Sequence, residues 1–402
     1  MIRISTANAY LSGNDAISND ESAMLTTEAE MASGKQVNSP SDNPVGAAQA
    51  ALLQSDLTQV GQYTTNQGQA TQLLNNASST MTEALNVLQS VNSTLVQAGN
   101  GENSDGDRSS LAAQLQQSLN QMVGLANSSD GQGGYLFGGS VNSTPPFVQN
   151  GNSVTYVGDN LVPGLQISQN RTEQVKYAGS SLFMDMPTGN GTFVTAAGSA
   201  NTGTGTISAG TVTSPSALTG DQYTITIGAG GTTFNVENTT TGTSAASGSY
   251  TSPTSISFDG MQVQLSGTPA AGDTFTVAPS GYQSIFTTLA NAITALQTPT
   301  AGSPTAAAQQ SAALTTALGN VQQAITSMST SQASMGAQLA ELNTYSTVNS
   351  DRTLQDQTQM SSIVDLDYAK GDSQLSQQET QFQAALQSYA SISKLSLFNY
   401  IT

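Results

Sequence analysis

The 402-residue chain contains no cysteine, no histidine and no tryptophan. Without cysteine there is no disulfide, no thiolate nucleophile and no cysteine-ligated zinc. Without histidine the commonest general base and metal ligand is missing, so Ser-His-Asp and Cys-His catalysis cannot be assembled within one chain. Positive charge is scarce as well: 8 Lys and Arg stand against 26 Asp and Glu, a formal charge of −18. A nucleic-acid binder needs a cationic footprint on the phosphates, and anionic membranes attract basic segments; neither partner fits. No run of about 18 apolar residues occurs, which excludes a transmembrane helix. The opening residues Met1 to Thr6 carry no apolar core of a secretory signal peptide. The expectation is a cytosolic chain, or one exported by a route that reads no cleaved signal.

What remains is uncharged and polar. Charged residues make up 8% of the chain, where ordinary domains are nearer a quarter. Such a surface suits subunits that meet over much of their area, because long charged side chains would cost entropy and desolvation energy there.

Both ends carry heptads. Tyr10, Ile17, Met24 and Met31 lie seven apart, and Ile4, Leu11, Ser18, Leu25 and Ala32 form the adjacent row. Sevenfold recurrence places these side chains on one helical stripe, the seam of a coiled coil. Gly34 is the expected stop, and residues 33–44 read as a turn-rich loop. A second helix is expected from Pro44, capped by Asn43, to Ala98, with the stripe Leu53, Val60, Gln67, Leu74, Met81, Leu88 and Leu95. A third fits 108–127. Near the other end, Leu314, Val321, Met328, Met335 and Leu342 repeat every seven residues, and Leu375, Phe382 and Tyr389 do the same beside Gln378, Ala385 and Ile392.

The middle changes period. Val154 and Tyr156 alternate, as do Tyr223, Ile225 and Ile227, then Met261, Val263 and Leu265, then Phe275 and Val277. This twofold pattern predicts strands, with Gly228 to Gly231 as a hairpin turn. Residues 133–185 read as a hairpin-rich flap, 205–279 as a small sandwich or barrel, and the Gly- and Thr-rich 187–206 as a linker. The expected fold is therefore α+β: a long antiparallel helical coiled coil or bundle made from both termini, a β-rich hairpin region and an inserted small all-β domain. Three parts are expected: 1–43 with 363–402 as a terminal coiled-coil domain, disordered in the monomer; 44–186 with 281–362 as a helical bundle with hairpins; and 187–280 as an outer β domain.

Several blocks then point to one family. They are SGKQVNSPSDNPVGAAQA at 33–50, GGYLFGGSVNSTPPF at 133–147, SIVDLDYA at 362–369 and FQAALQSYASISKLSLFNYI at 382–401. With these the chain resembles the bacterial flagellin family, in its hook–filament junction branch; filament flagellin usually ends differently. The part at 258–280 is similar to a β module of hook-associated proteins. The resemblance implies a non-enzymatic structural role in motility. Copies of the chain would form a ring, with hook-associated protein 1 on the hook side and flagellin on the filament side. It also implies a location on the extracellular flagellum, reached unfolded through the type III export channel with a chaperone on the C-terminal region. No cofactor and no metal are implied. Filament flagellin itself is the alternative, and a carbohydrate-binding surface protein a more distant one.

The residues expected to carry assembly are Leu11, Ile17, Met24, Phe382, Tyr389, Ile392 and Leu397, shared with packing inside the terminal helix pair. Asn38, Asp42 and Asn43 read as turn and cap residues. Catalytic and metal readings of the acids fail on spacing. In GENSDGDRSS at 101–110 the glycine falls at the wrong step for a calcium loop and Gln114 stands where a bidentate Glu is needed, so a solvated loop is expected. Asp365 and Asp367 point to different faces of a helix. In the β region, Asp259-Gly260 and Gly272-Asp273 look like turns, which leaves Asp221 and Glu237 without a convergent pair.

Overall fold

The computed structural model describes residues 6–141, 143–300 and 302–394. Among them are six α-helices: α1 (Thr6–Ser33), α2 (Pro44–Ala98), α3 (Asp105–Ala126), α4 (Ile285–Gln297), α5 (Pro304–Val364) and α6 (Tyr368–Lys394). The strands between α3 and α4 are β1 (Phe147–Asn150), β2 (Ser153–Tyr156), β3 (Gly164–Ser168), β4 (Arg171–Gln174), β5 (Met186–Pro187), β6 (Phe193–Ala197), β7 (Thr206–Ile207) and β8 (Thr211–Val212). They continue with β9 (Tyr223–Ile227), β10 (Thr233–Asn238), β11 (Thr243–Ser249), β12 (Thr254–Phe258), β13 (Met261–Ser266), β14 (Thr274–Pro279) and β15 (Tyr282–Gln283). The fold is α+β, as the two periodicities require.

The heptads become buried stripes. On α2, Val60, Gln67, Leu74, Met81, Leu88 and Leu95 are all 3% exposed or less. On α5, Leu314, Val321, Met328, Met335 and Leu342 are all 4% exposed or less. The one amide in the α2 row is partly satisfied: Gln67 Nε2 donates to the Ile167 carbonyl at 2.9 Å, while its Oε1 has no hydrogen-bond partner among the described residues. Asn43 caps α2, its Oδ1 accepting from Gly46 N at 2.9 Å. The third helix starts earlier than the periodicity alone suggests. Ser104 Oγ accepts from Asp107 N at 3.2 Å and the Asp107 carboxylate accepts in return from Ser104 N at 3.1 Å. This reciprocal cap satisfies two free donors and turns half of the expected 101–110 loop into helix.

The chain divides into two compact units, Met1–Thr65 with Tyr345–Thr402, and Asn66–Thr344. The second holds all the strands. Its β domain is a sandwich, not a barrel. One sheet has the order β11-β10-β9-β14-β6, and the other β12-β13-β7 with β8 also on β13. Inward residues of both sheets form one core, including Tyr223, Ile225, Val236, Phe275, Ile256, Val263 and Leu265. Asp259 at φ 41° and Gly260 at φ 77° make the two-residue turn that joins β12 to β13.

The segment 187–206 is not a linker. Phe193 to Ala197 pair with Pro279 to Phe275 as strand β6, and Phe193 is 2% exposed in the core. The glycine-rich stretch after it is tied down by two buried side chains. Asp273 accepts from Thr202 N at 2.8 Å and Gly203 N at 3.0 Å, and Asn201 accepts from Thr274 N at 2.8 Å.

The GGYLFGG run at 133–139 has a structural reason in the second unit. Phe137 is fully buried and packs edge-on against Phe183, with ring centroids 5.3 Å apart. Phe183 in turn meets Phe147 and Phe286. Gly139 adopts φ +69°, and a Cβ there would run into the Asp159 carboxylate and carbonyl. That carboxylate also accepts from Ser140 N at 2.7 Å. Gly139→Ala is therefore expected to lower stability by about 1–3 kcal/mol, read as a shift of the urea midpoint at unchanged slope.

Candidate assembly surface

The first unit is built differently from the second. Its terminal helices α1 and α6 pack on one another, and Tyr10 meets Tyr389 edge-on with centroids 5.9 Å apart at 83°. Gly13 leaves room for that ring, since a Cβ there would lie 3.0 Å from Tyr389 Cδ2. Yet the pair buries almost nothing. Among its described side chains, only Thr27 at 5% counts as buried, together with the backbone of Gly371. Gln378 Oε1 lies in the seam without a hydrogen-bond partner among the described residues, an uncompensated cost. Among the described residues of the first unit the buried large apolar side chains are Val60 and Tyr63, both on α2.

Apolar side chains face outward instead. Leu11 is 63% exposed, Leu25 54%, Leu52 72% and Leu354 65%. Val45, Val348, Tyr368 and Leu386 are exposed as well. Scattered exposed leucines need no explanation; a unit whose described large apolar side chains are nearly all half-buried or exposed does.

Of the expected assembly residues, Leu11 faces solvent, while Ile17, Met24, Phe382 and Tyr389 are half-buried along the α1–α6 seam. The backbone of Ile392 belongs to α6, but its side chain lies outside the described residues, as does all of Leu397.

The connector after α1 is rigid. The Asp42 carboxylate accepts from Ser39 N at 2.7 Å, Asn38 N at 3.0 Å and Ser39 Oγ at 2.9 Å. These bonds, foremost that from the Ser39 backbone, hold its pKa below the usual carboxylate value. Asn43 caps α2, so the SPSDNP wording at 39–44 is turn and cap chemistry. Asp367 likewise caps α6, accepting from Ala369 N at 3.0 Å. Deeper in the unit Arg352 bonds Asp56 at 2.8 Å between α5 and α2, and that bond leads the causes raising the guanidinium pKa.

Among the described residues no group of three or more acids could hold a metal ion. Two acids of the β domain hold the fold: Asp259 accepts from Tyr223 Oη at 2.7 Å and Asp221 from Asn238 Nδ2 at 2.9 Å. Among those residues no helix is long and apolar enough to cross a membrane.

Comparison with known proteins places relatives along the whole chain. Residues 4–142 match the family model of the bacterial flagellin N-terminal helical region. Residues 196–279, the β sandwich, match the D2-like domain of flagellar hook-associated protein 1. The chain is 26% identical over 397 residues to flagellar hook-associated protein 3 of Salmonella typhimurium, covering 99% of both chains. The Escherichia coli protein of the same name matches equally. Among solved structures, hook-associated protein-3 of Legionella pneumophila superposes with a TM-score of 0.73 at 28% identity, over 78% of this chain and 98% of that one. FlgL of Xanthomonas campestris gives 0.70 at 28%, over 76% and 98%. Phase 1 flagellin of Salmonella naestved is 27% identical over only 124 residues, 31% of this chain.

Proposed function

We infer that this chain, similar to flagellar hook-associated protein 3 along its whole length, is a structural subunit of the bacterial flagellum. It forms the junction between hook and filament and so enables flagellin to assemble. The observation that carries the reading is the end-to-end match, 99% of both chains, joined to a terminal unit that leaves Leu11, Leu25, Leu52 and Leu354 exposed. Flagellin matches less than a third of the chain.

The mechanism follows from the packing contrast. The second unit has a closed apolar core. Among the described residues the α1–α6 pair has only half-buried or exposed large apolar side chains to offset the entropy of ordering, so it orders fully only against neighbours. Coupled ordering of this kind costs about 2–5 kcal/mol or more, which contacts with several subunits must exceed. Those neighbours are further copies in a ring, hook-associated protein 1 on one side and flagellin on the other, with Leu11, Ile17, Met24, Phe382, Tyr389, Ile392 and Leu397 carrying the contacts. Before assembly the chain travels unfolded through the type III export channel to the extracellular flagellum. An export chaperone covers its C-terminal region on the way. It catalyses no reaction and takes no cofactor.

One solution experiment separates this reading from a filament flagellin. Concentrated purified protein, seeded and examined by electron microscopy, is expected to give short oligomers at most. Micrometre-long fibres would favour the flagellin reading.

A further inference from the structure

A helix end leaves its last carbonyls without partners inside the helix. At the ends of α1 and α5 those carbonyls are satisfied crosswise by segments more than 300 residues away in sequence. Beyond the end of α1, Leu366 N donates to the Gly34 carbonyl at 2.9 Å, and Tyr368 Oη reaches the Met31 carbonyl at 3.2 Å. Beyond the end of α5, Gln36 N donates to the Val364 carbonyl at 2.8 Å. The Gln36 side chain adds a bond from Nε2 to the Ile363 carbonyl at 2.9 Å. Lys35 and Asp365 sit opposite one another as an antiparallel bridge between the two connectors.

The backbone is shaped for this crossing. Gly34 adopts φ +70°, the left-handed conformation that ends a helix, and a Cβ there would come within 3.1 Å of the Tyr368 hydroxyl. Gly46 is equally confined, its place for a Cβ lying 3.3 Å from Ile363 Cγ2. The Asp42 bonds described above hold the 38–42 turn that follows the bridge.

We propose that these two connectors form a latch that couples the ordering of α1 to that of α6, with Gln36 and Tyr368 as its positioning residues. The end of α1 is capped only when the start of α6 is in place. The end of α5 is capped only when the connector after α1 is in place. Since the α1–α6 seam buries little, the latch sets its register. An N-terminal segment therefore orders together with its own C-terminal segment, whichever neighbours then cover the pair. This concerns the chain's own folding and does not depend on the junction reading.

The absence of native cysteine makes a clean test available. The full-length chain carrying Lys35→Cys and Asp365→Cys is oxidised to an intramolecular disulfide, and amide hydrogen exchange is compared with the reduced form. The latch predicts that protection rises at least tenfold in both α1 and α6, with the 81–95 stretch of α2 unchanged. Adding Gln36→Ala to the locked chain is expected to remove most of that gain in both helices. A rise confined to residues beside the disulfide, a rise in one helix only, or a gain indifferent to Gln36→Ala overturns the proposal.

Discussion

Asp130→Ala is expected to destabilise the second unit by about 3–5 kcal/mol, the cost of leaving one partner of a buried ion pair alone. Asp130 is 4% exposed and Lys176 9%, with Nζ to Oδ2 at 2.9 Å. The other carboxylate oxygen accepts from Gln132 N at 2.8 Å and Gly134 N at 2.9 Å. The alanine variant therefore takes the counter-charge from a buried ammonium and the acceptor from the Gln132 and Gly134 backbone N–H groups. Replacing both partners, Asp130→Ala with Lys176→Met, is expected to cost less than the single change. Urea unfolding of the three proteins measures this.

The pH dependence has a definite sign. Burial alone would raise the Asp130 pKa, but the Lys176 ammonium and the two N–H groups outweigh it and hold the value below 3.8. A carboxylate with a depressed folded-state pKa contributes stability above its unfolded value and loses it as pH falls through the folded one. The stability difference between wild type and Asp130→Ala is thus full at neutral pH and shrinks in acid below pH 3.8. A difference that grew on acidification would contradict the assignment.

Leu11→Asp with Leu25→Asp is expected to abolish filament attachment while leaving the isolated chain as stable as wild type. At 63% and 54% exposed these side chains contribute little to the lone molecule, and exposed substitutions usually stay within about 0.5 kcal/mol. If neighbours cover them, each introduced carboxylate must be desolvated without a partner, which no ring can tolerate over repeated contacts. Two readouts are needed together: thermal unfolding of the purified chain, and motility with filament counts in cells. Unchanged motility would show that this stripe stays exposed in the flagellum.

Elements set by local repetition were legible in the sequence. The rows Leu74, Met81, Leu88 and Val321, Met328, Met335 repeat often enough to outweigh single polar interruptions, and Asn43-Pro44 marks a helix start by its own chemistry. Strand β6 was hidden because its inward residues, Phe193 and Thr195, are too few among glycines and threonines to establish a period. What holds it is distant: Asn201 and Asp273 bind across the fold. The Asp130–Lys176 pair lies 46 residues apart and the Gln36–Ile363 bond 327, so neither leaves a local signal. The turn wording at 33–44 was read correctly as turn chemistry, but its partner at 362–369 was visible only as a family block. For the proposed assembly surface, the heptads point to the seam while the exposure of Leu11 and Leu25 is a feature of the structure. A stripe looks the same in sequence whether its own chain or another one covers it.

The most direct test of the junction role is made in cells from which the gene has been deleted. Electron microscopy of the cell surface is combined with an assay of the medium for flagellin. Hooks without filaments, and flagellin monomers accumulating in the medium, are the expected result, reversed by restoring the gene. Filaments of normal length on the deleted strain would contradict the account.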